Sequence, residues 1–170
     1  MELKDIKVSL NLQFLKIEGT WKPTQKEREA AWELYVELVT RISVVELRDK
    51  EGILREALNS LYSIFGTTRE ILRKYGPEIA ISRDGKSISF GELAISILNY
   101  QLRPLLSKWH PLLLDYENKR DPEMSLKEHE DKWERNMELR KELNETRKIL
   151  ILYSNLLAEA ANIKPLYTPA

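Results

Sequence analysis

The stretch that most constrains this fold runs from Ser89 to Lys119, where apolar side chains recur at helical spacing and cover most of the circumference. Phe90, Leu93, Ala94, Ile97, Leu98, Leu102, Leu105, Leu106, Trp109, Leu112, Leu113 and Tyr116 carry the pattern. A helix apolar nearly all round is a buried one, so this segment is expected to be a central helix with the others wrapped around it. Ser89 stands three residues before Glu92, the spacing of a capping box. Pro104 and Pro111 lie inside the stretch, and each removes an intrahelical hydrogen bond at ~3 kcal/mol. Straight, the helix would be ~45 Å long, more than a 170-residue domain needs. The rod is therefore expected to bend or split near Leu102-Arg103.

Around it the chain reads as further helices and little β structure. Residues 6–14 alternate, with Ile6, Val8, Leu10, Leu12 and Phe14 on one side and Lys7, Ser9, Asn11 and Gln13 on the other. Period two over that length is a half-buried strand. The alternation slips at Leu15 and Ile17 and ends at Gly19. The expected partners are Glu78–Ser82 and Lys86–Phe90, a hairpin about Arg83-Asp84-Gly85; otherwise the strand pairs with another chain. Thr24 with Glu27 opens the first helix, whose stripe is Ala31, Leu34, Tyr35, Leu38, Val39 and Ile42, with Trp32 at its border. Residues 42–47 fit a helix end or an extended connection. A second helix follows on Ile53, Leu54, Ala57, Leu58, Leu61, Tyr62 and Phe65. It is expected to break near Gly66, with Thr67 and Glu70 restarting it as far as Gly76-Pro77. Ser125 and Glu128 open a last helix running to about Ala161, charged as far as Lys148 with a narrow apolar seam, then richly apolar. The expectation is a mainly α protein, a four- to five-helix bundle with a kinked central helix and a small antiparallel β element. It forms one domain over 1–163, with 1–20 as a β arm and 164–170 as a flexible tail.

Composition excludes several classes. The chain has no cysteine, so thiolate metal sites, iron–sulfur clusters and cysteine nucleophiles are out. Net charge is zero, with fourteen basic and fourteen acidic residues in 1–85 and thirteen of each in 86–170. Dedicated nucleic-acid binding, which draws on clustered cations to neutralise phosphates, is not expected. The start, MELKDIKVSL, lacks signal-peptide design, and no apolar run reaches the ~18 residues of a membrane span. A cytoplasmic location is expected.

His110 and His129 are the chain's two histidines, and neither follows a carboxylate by three residues as a di-iron bundle requires. No phosphate loop, nucleophile elbow or zinc motif occurs, so neither metal nor cofactor is expected. His129, between Glu128 and Glu130, reads as a surface residue. His110 sits between Trp109 and Pro111, where it either contacts a ligand or partner or bonds a carbonyl freed by the kink. Asn99 and Arg103 share a face four residues apart. A charge on a buried helix needs a partner, so Arg103 is expected to meet a carboxylate, fixing register, or to hold an anionic ligand. Arg69, Arg73 and Lys74 make a small basic face. Two functions follow as expectations. The first is a non-enzymatic protein–protein interaction or homo-oligomerisation domain. It is suggested by the narrow seam of the last helix, the strand short of partners and the missing catalytic constellation. The second is a sensor module binding a small anionic ligand, such as a nucleotide, near Asn99, Arg103 and His110.

Overall fold

Alternating residues at the start of the chain build a two-stranded hairpin, β1 (Ile6–Asn11) and β2 (Lys16–Trp21), in the computed structural model, which describes residues 4–41, 47–48 and 51–167. The strands are antiparallel, with Ile6 opposite Trp21 and Asn11 opposite Lys16. Ile6, Val8 and Leu10 face inward as the period predicts, as does Leu12 just beyond β1. The expected partner was wrong. Residues 77–80 form a single 3-10 turn, and Ile88 alone touches the sheet, through one parallel bridge to Trp21. The slip in alternation at Leu15 is a turn, in which the Leu12 N–H donates to the Leu15 carbonyl at 2.8 Å. Past it, Ile17 and Trp21 return to the core, while Phe14 is left in the turn, 69% exposed.

Helix α1 (Gln25–Val39) starts with the expected capping box, Thr24 accepting from the Glu27 N–H and Glu27 accepting from the Thr24 N–H. Glu27 does more. Only 2% exposed, it also accepts from Trp21 Nε1 at 3.2 Å and from the Phe90 N–H at 2.8 Å. One carboxylate thus ties the hairpin, α1 and the start of the central helix together.

Helix α2 (Leu54–Tyr75) runs unbroken through Gly66, against the expected break. Leu58, Leu61, Ile64, Phe65, Thr68 and Ile71 keep a single buried stripe across it, and that packing outweighs the ~1 kcal/mol cost of a mid-helix glycine. Thr67, expected to cap a new helix, instead accepts from Arg41 Nη2 at 2.9 Å. The helix ends at Gly76, φ 75°, followed by Pro77.

The central rod departs from α geometry where a bend or split was expected, without being broken. Helix α3 (Phe90–Ile97) passes into one π turn, Leu98–Leu102, and continues as α4 (Arg103–Glu117). Pro104 has no N–H to donate to the carbonyl of Tyr100, and its ring would press on it. Widening the turn removes that conflict, so the Arg103 N–H reaches back to the Leu98 carbonyl. Pro111 sits inside α4 without interrupting it. Phe90, Leu93, Leu102, Trp109 and Leu113 are wholly buried.

The last helix is two, not one: α5 (Leu126–Asp131) and α6 (Asn136–Ala160). Trp133, in the break, stacks on Tyr116 at 5.4 Å and meets Trp109 edge-on at 5.9 Å. The break turns Glu130 inward, where its carboxylate accepts from the Leu54 N–H at 2.8 Å and caps α2. His129, expected at the surface, is buried and stacked on Tyr116 with ring centroids 3.9 Å apart. Helix α6 lies against α1 and β1; along its charged half Leu139 and Leu143 are covered within the chain, while Met137 stays exposed. Residues 42–46, ambiguous by sequence, lie outside the described residues, as do 168–170. Of the tail, the Leu166 N–H donates to the Tyr35 hydroxyl at 2.6 Å. Among the described residues no helix is long and apolar enough to cross a membrane.

Candidate functional site

Helices α2 and α4 run antiparallel, the start of α2 meeting the end of α4 through Arg55 and Glu117 and its middle meeting the start of α4 through Phe65 and Arg103. Between them opens a groove of about 600 Å³. The α2 wall is Leu58, Tyr62, Phe65 and Arg69, spaced four, three and four residues apart, which is one helical stripe. The α4 wall is Arg103, Leu106, Ser107 and His110, three, one and three residues apart, which is again one helical face.

At one end two guanidinium groups converge on a single ring. The Arg103 Cζ lies 5.2 Å and the Arg69 Cζ 5.7 Å from the Phe65 centroid. Neither arginine has an ion pair among the described residues. Tyr62, 67% exposed, leans on Phe65 with ring centroids 6.1 Å apart. At the other end Arg55 grips Glu117 with both arms of its fork, at 2.8 and 3.2 Å, and points a third N–H at His110 Nδ1, 2.7 Å away. Arginine can only donate, so Nδ1 must hold the lone pair and the ring proton sits on Nε2. His110 therefore offers a donor. No carboxylate lines the groove, and a cleft walled by N–H donors and aromatic faces suits an anion.

Of the residues singled out by sequence, the structure brings Arg69, Arg103 and His110 together. Asn99 stands just outside and accepts from Arg103 Nε at 3.2 Å, steadying that side chain. Arg103 thus lacks the carboxylate expected for it, because the π turn leaves it exposed rather than buried. His110 bonds Arg55 rather than a freed carbonyl. Trp109 is wholly buried on the opposite face of α4, donating to Glu142 at 2.6 Å, and has no surface to offer a ligand. Arg73 is exposed and lies apart from the groove. Lys74 is drawn away to Glu33, which Tyr75 also bonds, at 2.6 Å. Although burial acts against it, that pair of donors holds the Glu33 carboxyl below its ordinary value, and the Glu33 bond raises the Lys74 ammonium. The basic face of the sequence is therefore two separate features.

Sequence reasoning missed Asn59, Ser107 and Arg55, and took Tyr62 for core; Phe65, also read as core, is indeed buried at the floor of the groove. The signal was faint but present: Tyr62 falls one residue off the stripe 54, 58, 61, 65, 68, which places it at the helix border. A second cavity is lined by Gln13, Gln101 and Thr146, which bond one another, and by Asn11, Glu142 and Glu145. Gln101 accepts from the Gln13 N–H and donates to Thr146 Oγ1, both at 3.0 Å. Among the described residues no cluster of three or more potential metal ligands exists. No protein-family model matches this chain, and no curated protein or solved structure is detectably similar to it.

Proposed function

We propose that the chain is a non-enzymatic sensor module that binds a small organic anion in the groove between α2 and α4. The observation that carries this reading is the pair of guanidinium groups, Arg69 and Arg103, without ion-pair partners among the described residues and converging on Phe65. Two unneutralised charges repel each other, and a bound anion relieves that while gaining charge-assisted hydrogen bonds. A thermal-shift screen against organic phosphates and carboxylates tests it. A ligand at a hundred times its Kd adds ~2.7 kcal/mol to stability, which for a domain of this size is a rise of roughly 5–10 °C. Arg103→Ala abolishes that rise without lowering the Tm of the free protein. If no anion in the screen stabilises the wild type, the reading fails. A cytoplasmic location belongs to the same proposal and rests on composition.

A second reading, a protein interaction or homo-oligomerisation domain, is favoured by a different surface. Between α1 and α2, Trp32 and Val36 stand half-exposed in a cleft of about 370 Å³ with Glu33, Glu37 and Glu70 among its lining residues. Lys74 on the same rim pairs with Glu33 and Arg41 pairs with Glu37, so what the cleft offers a partner is its apolar centre and the Glu70 carboxylate. Size-exclusion chromatography with light scattering tests it, because a strict monomer with no copurifying partner counts against this reading alone.

A further inference from the structure

The groove is graded along its length, and the gradient selects among anions. From Arg103 to His110 the α4 wall rises seven residues, about 10 Å, and the α2 wall from Arg69 to Asn59 about 15 Å. Positive charge is confined to one end, where Arg69 and Arg103 flank Phe65. Leu58, Leu106 and the exposed ring of Tyr62 occupy the middle. At the far end stand the Asn59 amide and His110, whose Nε2–H is free to donate because Arg55 occupies Nδ1. An inorganic anion or short dicarboxylate would use the charged end only. A fatty acid would bury its tail against the donors of the far end and leave them unpaired. A chain of phosphates would gain no second cationic partner within the groove, whose lining holds no Lys or Arg beyond Arg69 and Arg103.

We infer that the ligand is a nucleoside monophosphate, with its phosphate at Arg69 and Arg103, its base against the exposed ring of Tyr62, and the edge of the base at Asn59 and His110. The assignment rests on the anion reading above and adds to it the order phosphate, ring, polar edge over ~10–15 Å. Guanidinium forks match phosphate oxygens in geometry as well as charge. An exposed aromatic ring is a platform on which any base stacks, worth roughly tenfold or more in affinity. The side-chain amide of Asn59 carries both a donor and an acceptor, the pairing that reads a base edge.

Isothermal titration calorimetry on the full chain at one fixed salt concentration tests this, with AMP, GMP, CMP and UMP set against adenosine, ribose 5-phosphate and ATP. At least one nucleoside monophosphate is expected to bind tenfold or more tightly than ribose 5-phosphate, and ATP no more tightly than AMP. Tyr62→Ala, at a position so exposed that folding is insensitive to it, should weaken that monophosphate about tenfold and leave ribose 5-phosphate unchanged. Arg103→Ala should weaken both, with circular dichroism showing each variant folded. Equal affinity for monophosphates and ribose 5-phosphate, or an unaltered monophosphate affinity in the Tyr62 variant, would overturn the ligand class while the anion site stood. Tighter binding of ATP would overturn the monophosphate assignment. Absence of saturable binding by every phosphate tested would remove the anion site itself.

Discussion

Glu27 makes the sharpest demand on the structure. Its carboxylate accepts three N–H groups, from Thr24 at 2.7 Å, from the Trp21 indole at 3.2 Å and from the Phe90 backbone at 2.8 Å. The latter two are buried, and both come to Oε1. In Glu27→Ala these donors lose their acceptor in a site closed to water, and a buried unsatisfied donor costs ~1–3 kcal/mol. With the cap also lost, the variant should be destabilised by about 4–5 kcal/mol, a large part of the ~5–15 kcal/mol that holds such a domain together. Glu27→Gln separates the contributions. A glutamine carbonyl can stand in the place of Oε1 and keep both buried bonds, while its amide nitrogen confronts the Thr24 N–H as donor to donor. That change should cost about 1–2 kcal/mol. Thr24→Ala, which removes only the cap hydroxyl, should cost ~1 kcal/mol. Urea unfolding followed by far-ultraviolet circular dichroism, with a common m value, measures all three. If the alanine variant falls within 1 kcal/mol of the glutamine variant, water reaches those donors and the three-element tie does not exist.

Two glycines should respond in opposite directions. Gly66→Ala finds nothing within 4 Å, so it should raise stability by ~0.5–1 kcal/mol. Gly91→Ala would set its methyl 2.9 Å from the Ala80 backbone and should cost ~1–3 kcal/mol; thermal melts of the two variants suffice, and equal shifts would refute the packing. At Glu130 burial outweighs the hydrogen bonds from Leu54 and Arg55 and raises the carboxyl above its ordinary 4.5. A raised acid binds its proton more tightly when folded, so its stabilising contribution is complete below 4.5 and is lost as pH rises through the shifted value. Against Glu130→Gln, wild type should therefore lose relative stability as pH climbs above 4.5, and a gap that widened in favour of wild type would contradict the burial. Gln101→Leu strands the Gln13 N–H and the Thr146 hydroxyl at ~1–3 kcal/mol, and amide exchange at Gln13 should quicken; unchanged exchange would show that the hairpin is held by other means.

The sequence determined on its own what local physics controls. Thr24, Ser89 and Ser125 began helices because a capping side chain and the N–H it serves lie within three residues. The disturbance in the rod was legible because a proline acts on the carbonyl four places back. Inward-facing Ile6, Val8 and Leu10 followed from the two-residue period of a strand. Tertiary structure decided the remainder, since the groups that matter there are distant in sequence. Whether the first strand found its partner at Lys16 or beyond Glu78 turned on which segment could bring Trp21 into the core. Gly66 stayed helical because the stripe around it had a neighbour to bury against, and α5 parted from α6 so that Glu130 could reach Leu54, 76 residues away. The groove was hardest to read. Each wall is an ordinary helical stripe, and Arg69 and Arg103 become one site only when two antiparallel helices bring both guanidinium groups over Phe65, in a groove that no carboxylate lines.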